Sequence, residues 1–499
     1  MNNPRKKIVV ANMPGIHVNA NGSLRHLVKA GSRWPMTVGN SRSIDYYPFP
    51  FGLAYTTALL KRDTSAIVKG LDGVARDMLP GEFFNEVVKE KPDILITEIV
   101  GVTLKEDLSL LKKIKESSHC IIIVCGYYVS TFPEKVLIEN DFIDFSIFGE
   151  YEITIKEIIQ YLEDETGKLP EIEGVVFRSS RKEVLKNKPR PQLDVNNLPF
   201  PDREDFHPQD YADFAFYMPC ISIISSRGCP CSCTFCLDRN VLYNSPAYRM
   251  RNAEDVVNEI EYCISQYKAN QIYFDDQSFV VDKQRVLKIC ELIISRNIKI
   301  PWTCMGDAIF SDYEMLKMMK EAGCIGIKFG VESADPEILK QIKKPVNLER
   351  VKQVVKWCKK LGINSHATFC VGLPGETEET IQKSIHFMEK LGVNTAQVSR
   401  AVPYPGTPFF EWAKQNDYLL TEDWERYDAS IESVLKYPQI SSERLDRCYK
   451  VFLKKVSRKK VLQYLKNPLR SLSFLKEQYL QKGMKVTMGA VCTFVKRAL

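Results

Sequence analysis

At 499 residues the chain exceeds what a single hydrophobic core serves and has room for two or three domains. Hydrophobic residues at 44% and charged residues at 26% are ordinary for a soluble globular protein, and no run approaches the roughly 20 apolar residues of a membrane span. The net charge of +7 is uneven: Val451–Leu499 holds twelve Lys or Arg against one acid, Glu477, and the remainder is slightly acidic.

The chain opens with Met1–Val10 (MNNPRKKIVV), whose apolar run is far shorter than a signal-peptide core, so the expected location is cytoplasmic. Strands are expected at Ile8–Ala11, Ser65–Val68, Ile94–Thr97, Cys120–Val124 and Ile143–Phe148. Each is short and continuously apolar, as strands buried on both faces are. Helical spacing falls between them, with Leu104, Leu108, Leu111 and Ile114 on one stripe and Ile155, Ile158, Ile159 and Leu162 on another. The alternation predicts a doubly wound, Rossmann-like sheet over 1–186 with its ligand at the carboxyl ends of the strands. Gly174–Lys186 reads as a hairpin, and 187–215, rich in Pro, Asn and Asp, as a linker.

A second series over 216–428 places strands at Ile221–Ile224, Gln271–Asp275, Lys299–Cys304, Cys324–Val331, Ile363–Val371 and Val393–Ser399. Helices intervene at 253–268, 283–296, 311–321, 348–361 and 377–390. Six βα units fall two short of a closed eight-unit barrel, so a partial (β/α)6 barrel is expected. Residues 429–499 read as a small basic helical region. The fold class is α/β throughout the first two parts.

Fifteen cysteines call for explanation where disulfides are disfavoured. Most sit singly in apolar runs, as Cys120, Cys290 and Cys370 do, and read as small buried hydrophobes. Five fall between Cys220 and Cys236. Within Ser225–Asn240 (SSRGCPCSCTFCLDRN), Cys229, Cys233 and Cys236 form C-x-x-x-C-x-x-C in a polar loop with Arg227, Asp238 and Arg239. Short spacing lets one loop wrap its thiolates around one centre, and three ligands leave a position open for an exogenous group. The alternative is a closed zinc site completed by Cys231 or Cys220. That would make the chain a non-catalytic metal-binding protein whose basic tail meets lipid or nucleic acid.

The cysteine spacing, placed directly after the first strand of the second series, resembles the radical S-adenosylmethionine (radical SAM) superfamily. The resemblance implies a [4Fe-4S] cluster on Cys229, Cys233 and Cys236, S-adenosyl-L-methionine on the open iron, and a 5′-deoxyadenosyl radical from its cleavage. It implies contacts to S-adenosylmethionine from Phe274, Asp275 and Asp276 of Tyr273–Asp276 (YFDD), near the methionyl amine, and from Glu332 of Gly330–Ser333 (GVES), at the ribose. Lys344 or Lys343 falls near the carboxylate. Thr368 and Gly372, Leu373 and Pro374 of Gly372–Thr377 (GLPGET) complete the set, the turn lying where backbone packs on adenine. Cys304–Ala308 (CMGDA) departs from relatives that carry an arginine after the third strand.

The N-terminal half is similar to the cobalamin-binding branch of that superfamily, which includes methylases and anaerobic porphyrin ring cyclases. The similarity rests on Tyr47–Leu60, Lys91–Thr97, Cys125–Pro133, Phe148–Glu152 and Leu198–Asp202. It implies cobalamin against Asn12, Met13, Pro14 and Gly15, against Gly126, Tyr127 and Tyr128, and against Gly149 and Glu150. The D-x-H-x-x-G motif is absent, so His17 is not taken as a cobalt ligand; Gly31–Pro35 (GSRWP) could approach substrate. The activity implied is methyl transfer to an unactivated carbon of a small-molecule substrate, natural-product or lipid-like. The alternative is a radical cyclase, rearrangement or oxidation enzyme without methyl transfer. A methylthiotransferase would need three further cluster cysteines in its N-terminal domain, where residues 1–200 hold only Cys120 and Cys125. No catalytic residue is assigned beyond the cofactor ligands. Partners would be an electron donor such as flavodoxin or ferredoxin, no nucleic acid, and a membrane surface touched through Leu469, Leu472, Phe474 and Leu475 beside lysines.

Overall fold

The computed structural model describes residues 5–18, 24–30, 36–39, 46–164 and 168–466. The N-terminal sheet contains β1 (Lys7–Asn12), β2 (Ile67–Asp72), β3 (Ile94–Glu98), β4 (Ile121–Cys125), β5 (Phe145–Ile147), β6 (Val175–Arg178) and β7 (Val184–Lys186). Their spatial order is β7-β6-β5-β4-β3-β1-β2. The first five strands run parallel, and β6 and β7 add the expected hairpin antiparallel to β5. Alternate residues go to opposite faces. Ile8, Val10, Ile94 and Ile96 pack with Leu53, Leu60, Ile155 and Ile159, whereas Val9, Ala11 and Leu95 pack with Phe83, Leu111 and Ile114. Helices therefore cover both faces, and the order reverses between β1 and β3, where such sheets open a crevice.

β2 is displaced from the expected Ser65–Val68 for a physical reason. It is an edge strand whose Ile67 is 53% exposed, so it lacks the continuous apolar run. Its Gly70 also leaves room for the Asp205–Phe206 segment: a Cβ there would stand 2.5 Å from the Phe206 ring. An element with no periodic signature appears between β1 and β2, a three-stranded antiparallel sheet of Ile16–Val18, Leu24–Val28 and Met36–Gly39. The side chain of His17 and the stretch Gly31–Pro35 lie outside the described residues.

The second sheet is β8 (Cys220–Ile223), β9 (Gln271–Phe274), β10 (Trp302–Gly306), β11 (Cys324–Glu332), β12 (Asn364–Val371) and β13 (Thr395–Arg400), parallel and in sequential order. β10 starts at Trp302 rather than Lys299 because Pro301 has no N–H to contribute to a ladder. The intervening helices are Ala253–Tyr267, Lys283–Ser295, Tyr313–Glu321, Leu348–Leu361 and Glu378–Leu391. Asp282, Asp312, Asn347 and Thr377 cap the last four by accepting backbone N–H bonds.

The helix Ser442–Lys466 lies along the free edge of this partial barrel. Arg400 of β13 bonds Asp446 at 2.6 Å and stacks on Tyr449 at 3.8 Å, and Phe452 meets Phe369 of β12. The foot of the barrel is filled by the chain entering it. Ala212–Asp213 pairs with Tyr46–Tyr47, and Asp213 holds Lys328 at 2.8 Å. Among the described residues no helix is long and apolar enough to cross a membrane. The tail residues Leu469, Leu472, Phe474 and Leu475 lie outside them.

Candidate functional site at the seam of the two sheets

The cysteine loop leaves the end of β8 and is pinned before its first cysteine. Asp276 accepts Ser225 N at 2.6 Å, Ser226 N at 2.9 Å and Ser225 Oγ at 2.5 Å. Asp276 thus spends both oxygens on the base of the loop and is not presented to a cofactor. Ser226–Arg227 pairs with Arg249–Met250. Gly228, at φ +87°, would place a Cβ 2.0 Å from the Ala247 carbonyl oxygen, so this turn requires glycine. Asn240 Nδ2 donates to the Cys233 and Cys236 carbonyls, and Thr234 N to Ile342 O. The loop is held by its backbone, which leaves the sulfurs for a ligand.

Cys233 is buried and Cys229 and Cys236 are half-buried. Burial pushes the Cys233 thiol up to about 11 and the Cys236 thiol up to about 12, so a thiolate at either position needs a positive partner such as iron. Among the described residues no group of three or more His, Cys, Asp or Glu is arranged around one ion-sized point. A polynuclear cluster spreads its ligands more widely. Cys220 does not contribute: it lies at the amino end of β8, packed with Ala212, Met218 and Tyr273. Cys231 lies beside Cys229.

Inside the barrel mouth, Lys344 Nζ stands 3.2 Å from Asp307 Oδ1 and 3.8 Å from Glu332 Oε1. Burial opposes the Lys344 charge, yet Asp307, Cys233 and Glu332 hold it well above the ordinary lysine value. Glu332 has φ +66° at a register shift between β11 and β12, a bulge that re-aims its side chain. Cys370, which packs against the barrel core as expected, also donates to it at 3.4 Å. A Cβ at Gly330 would meet Glu332 Oε1 at 2.4 Å and Lys344 Nζ at 3.0 Å. One ammonium between two carboxylates beside Cys233 matches the amino and carboxylate groups of a methionyl zwitterion. Lys343 is exposed and takes no part.

Thr368, on β12, bonds Phe329 O at 3.4 Å. The Gly372–Pro374 turn is held by Glu376, which accepts Gly372 N at 2.6 Å and Leu373 N at 3.1 Å. Its other oxygen is buried with no partner among the described residues, and burial pushes this carboxyl up to about 8. The Phe274 side chain faces away from the mouth, its ring 4.5 Å from Phe279 and 5.3 Å from Trp302 in the core. Asp275 does reach the cleft.

That cleft, about 720 Å³ when its mouth open to solvent is included, lies between the carboxyl ends of β3–β5 and the barrel mouth. Glu98, Gly126, Tyr127 and Glu150 line it from above, and Arg227, Asp238, Asp275 and Gln277 from below. Across its edge Arg227 pairs with Glu150 at 3.0 Å and Glu152 at 2.7 Å, and Arg249 with Glu150 at 2.7 Å. The Tyr127 hydroxyl donates to Asp238. Glu150 is therefore a structural partner of the cysteine loop rather than a free cofactor contact. Gly149, at φ +77°, donates its N–H to Ser130 Oγ.

The loop after β1 does not join the cavity. Asn12 bonds Asp72, Met13 is buried in the core, Pro14 O accepts from Lys29, and Gly15 O accepts from Leu27 N. A Cβ on Gly15 would stand 2.2 Å from Leu27 O. The Leu24–Val28 strand bonds back onto Gly15, and the cleft is lined instead by the loops after β3, β4 and β5.

Glu98 was not anticipated. Burial pushes its carboxyl from 4.5 up to about 7, with the Tyr151 hydroxyl opposing and Glu152 adding. The folded chain binds this proton more tightly than the unfolded one, so stability falls as pH rises from about 4.5 to about 7 and is flat in this group above that. Glu98→Gln is expected to remove that slope, gaining on wild type between pH 5 and 8 by at most about 3 kcal/mol. Urea midpoints at the two pH values measure it; parallel midpoints would contradict it.

Three comparisons bear on this site. Residues 223–388 match the family described as the Radical SAM superfamily. The chain is 31% identical over 418 residues to an uncharacterized methyltransferase of Pyrococcus horikoshii, covering 83% of this chain and 89% of that one. It is 24% identical to the anaerobic magnesium-protoporphyrin IX monomethyl ester cyclase of Rubrivivax gelatinosus, over 90% of this chain and 79% of that one. Among solved structures, the methyltransferase TsrM of Kitasatospora setae with cobalamin and a [4Fe-4S] cluster bound aligns at TM-score 0.65 and 17% identity, over 84% of this chain and 79% of that one. The cobalamin-dependent S-adenosylmethionine radical enzyme OxsB aligns at TM-score 0.68 and 17% identity, over 99% and 75%. The likeness to these two structures is one of fold.

Proposed function

The chain belongs to the radical SAM superfamily, and from that premise we propose that it is a cobalamin-dependent methyltransferase acting on an unactivated carbon of a small-molecule substrate. The observation that carries this reading is the cleft, where Gly126 and Tyr127 of the doubly wound sheet face the loops around Cys229–Cys236 and Asp275. When bound, the [4Fe-4S] cluster and S-adenosylmethionine supply a 5′-deoxyadenosyl radical, and the corrinoid supplies a methyl group.

Cys229, Cys233 and Cys236 would hold the cluster. Lys344, Glu332 and Asp307 would orient the methionyl group, with Thr368 and the Gly372–Pro374 turn along the nucleoside. Glu98, Gly126, Tyr127 and Asp275 would line the corrinoid. Arg227, clamped between Glu150 and Glu152, fixes the cysteine loop against the upper sheet. A flavodoxin- or ferredoxin-like protein would deliver the electron in the cytoplasm, and the basic tail would supply any membrane contact.

The name of the Pyrococcus horikoshii relative supports methyl transfer; identity to the cyclase over 90% of this chain keeps ring closure as the second reading. Anaerobic protein reconstituted with iron, sulfide and cobalamin is expected to release 5′-deoxyadenosine under strong reductant. With its substrate it should also yield one S-adenosylhomocysteine per product. Deoxyadenosine without S-adenosylhomocysteine would decide for the cyclase reading, and intact S-adenosylmethionine beside a lone zinc ion would end both.

A further inference from the structure

We propose that Glu98 recognises the bound corrinoid as an uncharged acid, its unengaged oxygen donating a proton to the carbonyl of one peripheral amide of the ring. The proposal rests on the corrinoid reading above and names the residue that would make binding depend on pH.

Glu98 stands at the carboxyl end of β3 and lines the cleft. The neighbouring acids are committed elsewhere. Glu150 and Glu152 share Arg227, Glu150 also takes Arg249, and Asp238 accepts from the Tyr127 hydroxyl and from Gln277 Nε2 at 2.9 Å. Glu98 bonds no cation among the described residues, and the nearby Lys29 is held by Asp107 at 2.6 Å. A carboxylate at this half-buried position would lack a counter-ion, so the neutral acid is favoured. Laying a large, flat ring over it removes the remaining water and favours that form further.

The two oxygens have different surroundings. The Tyr151 hydroxyl donates to Oε1. Gly52 of the helix Phe51–Asp63 seats that hydroxyl so closely that a Cβ there would stand 2.0 Å from it. Oε2 has no partner among the described residues, and unlike the free oxygen of Glu376 it is not sealed from solvent. A Cβ at Gly126 would approach Oε2 to 3.3 Å, so glycine keeps this side uncrowded. With Oε1 spent as an acceptor, the proton belongs on Oε2. A corrinoid carries uncharged amides around its rim, and an amide carbonyl accepts from such a donor.

Burial pushes the Glu98 carboxyl up to about 7, with Tyr151 and Lys29 opposing and Glu152 adding. Cys125, Tyr127 and Tyr151 also face it, and burial holds each well above its usual value, so no thiol or phenol there titrates with it. Glu152 and Lys29 are ion-paired, and Arg227, Asp238, Tyr243 and Asp275 stand across the cleft.

The test is fluorescence-quenching titration of reconstituted protein with cyanocobalamin, whose axial ligand does not titrate in this range. Wild type is expected to bind about tenfold more weakly at about pH 8.5 than at about pH 6, because the lost proton must be regained before the contact forms. In Glu98→Gln the affinity should vary by less than about twofold, the side-chain N–H serving as donor at both pH values. Tyr151→Phe removes a donor that favours the carboxylate, so its loss of affinity should begin at higher pH than in wild type. This second variant leaves Glu98 in place and decides the question even where Glu98→Gln is unfolded. Wild-type affinity that is flat or rises with pH, or a Glu98→Gln slope as steep as wild type, would overturn the proposal. So would a Tyr151→Phe profile that coincides with wild type. Absence of cobalamin binding at both pH values would instead sink the corrinoid reading, and this proposal with it.

Discussion

Cys233→Ala is expected to abolish 5′-deoxyadenosine release, by about a thousandfold or more, against the roughly 10–100-fold that loss of an outer-shell partner costs at a metal site. Cys233 is the most buried of the three proposed ligands at 7% exposure, and it faces Lys344. The loop around it is carried by backbone bonds from Asn240 and Thr234 and by the turn at Gly228, none of which uses the sulfur. Alanine therefore removes a thiolate and leaves the loop standing. Iron content should fall with activity while circular dichroism stays as in wild type. Cys231→Ala is the control: its sulfur neighbours Cys229 but falls outside the C-x-x-x-C-x-x-C spacing, so iron and activity should survive. Retention of both in Cys233→Ala, with loss in Cys231→Ala, would reassign the ligand set.

The second large effect is at Arg227. Its guanidinium lies between Glu150 and Glu152 and against the Tyr55 ring, with each charged side chain of the triad at most 6% exposed. Arg227→Met leaves Glu152 as a buried carboxylate without its cation, and Glu150 with Arg249 alone. Breaking such a pair from one side costs about 3–5 kcal/mol. Urea unfolding should shift accordingly, and trypsin should cut 187–215 faster as the seam loosens. Adding Glu150→Gln and Glu152→Gln should recover much of the loss, because the penalty is the unpaired charge. Arg227 stands two residues before Cys229, so iron loading should fall as well. An unchanged midpoint in Arg227→Met would show that the seam is held elsewhere.

Much of this was legible in the sequence because its signals are local. Thiolate spacing is written within eight residues, and strands buried on both faces, such as Ile121–Cys125, announce themselves as unbroken apolar runs. Edge strands and interruptions hide: β2 carries Lys69 and Gly70 and is half exposed at Ile67, and the small sheet that bonds back onto Gly15 has no period at all. Adjacent identical residues are equally opaque. Asp275 and Asp276 look interchangeable in YFDD, yet one reaches the cleft and the other is spent on Ser225 and Ser226. Asp307 lies in the CMGDA stretch that departs from relatives and carries no motif of its own, although it is the nearer of the two carboxylates at Lys344. Trp424 and Tyr427 carry no motif; only the return of the chain places them beside Val100–Val102 and Phe132.

The helix Ser442–Lys466 that lies along the free edge of the barrel follows every strand of that barrel in the chain, and the order of synthesis turns on it. The thiol-bearing loop emerges from the ribosome about two hundred residues earlier, an interval of roughly 10–40 s at about 5–20 residues per second. Until that helix arrives, the faces of β12 and β13 that it covers are bare. A truncation that spares Cys229, Cys233 and Cys236 but removes Phe452 would leave Phe369 uncovered and the barrel edge bare, long after the thiol loop has been made.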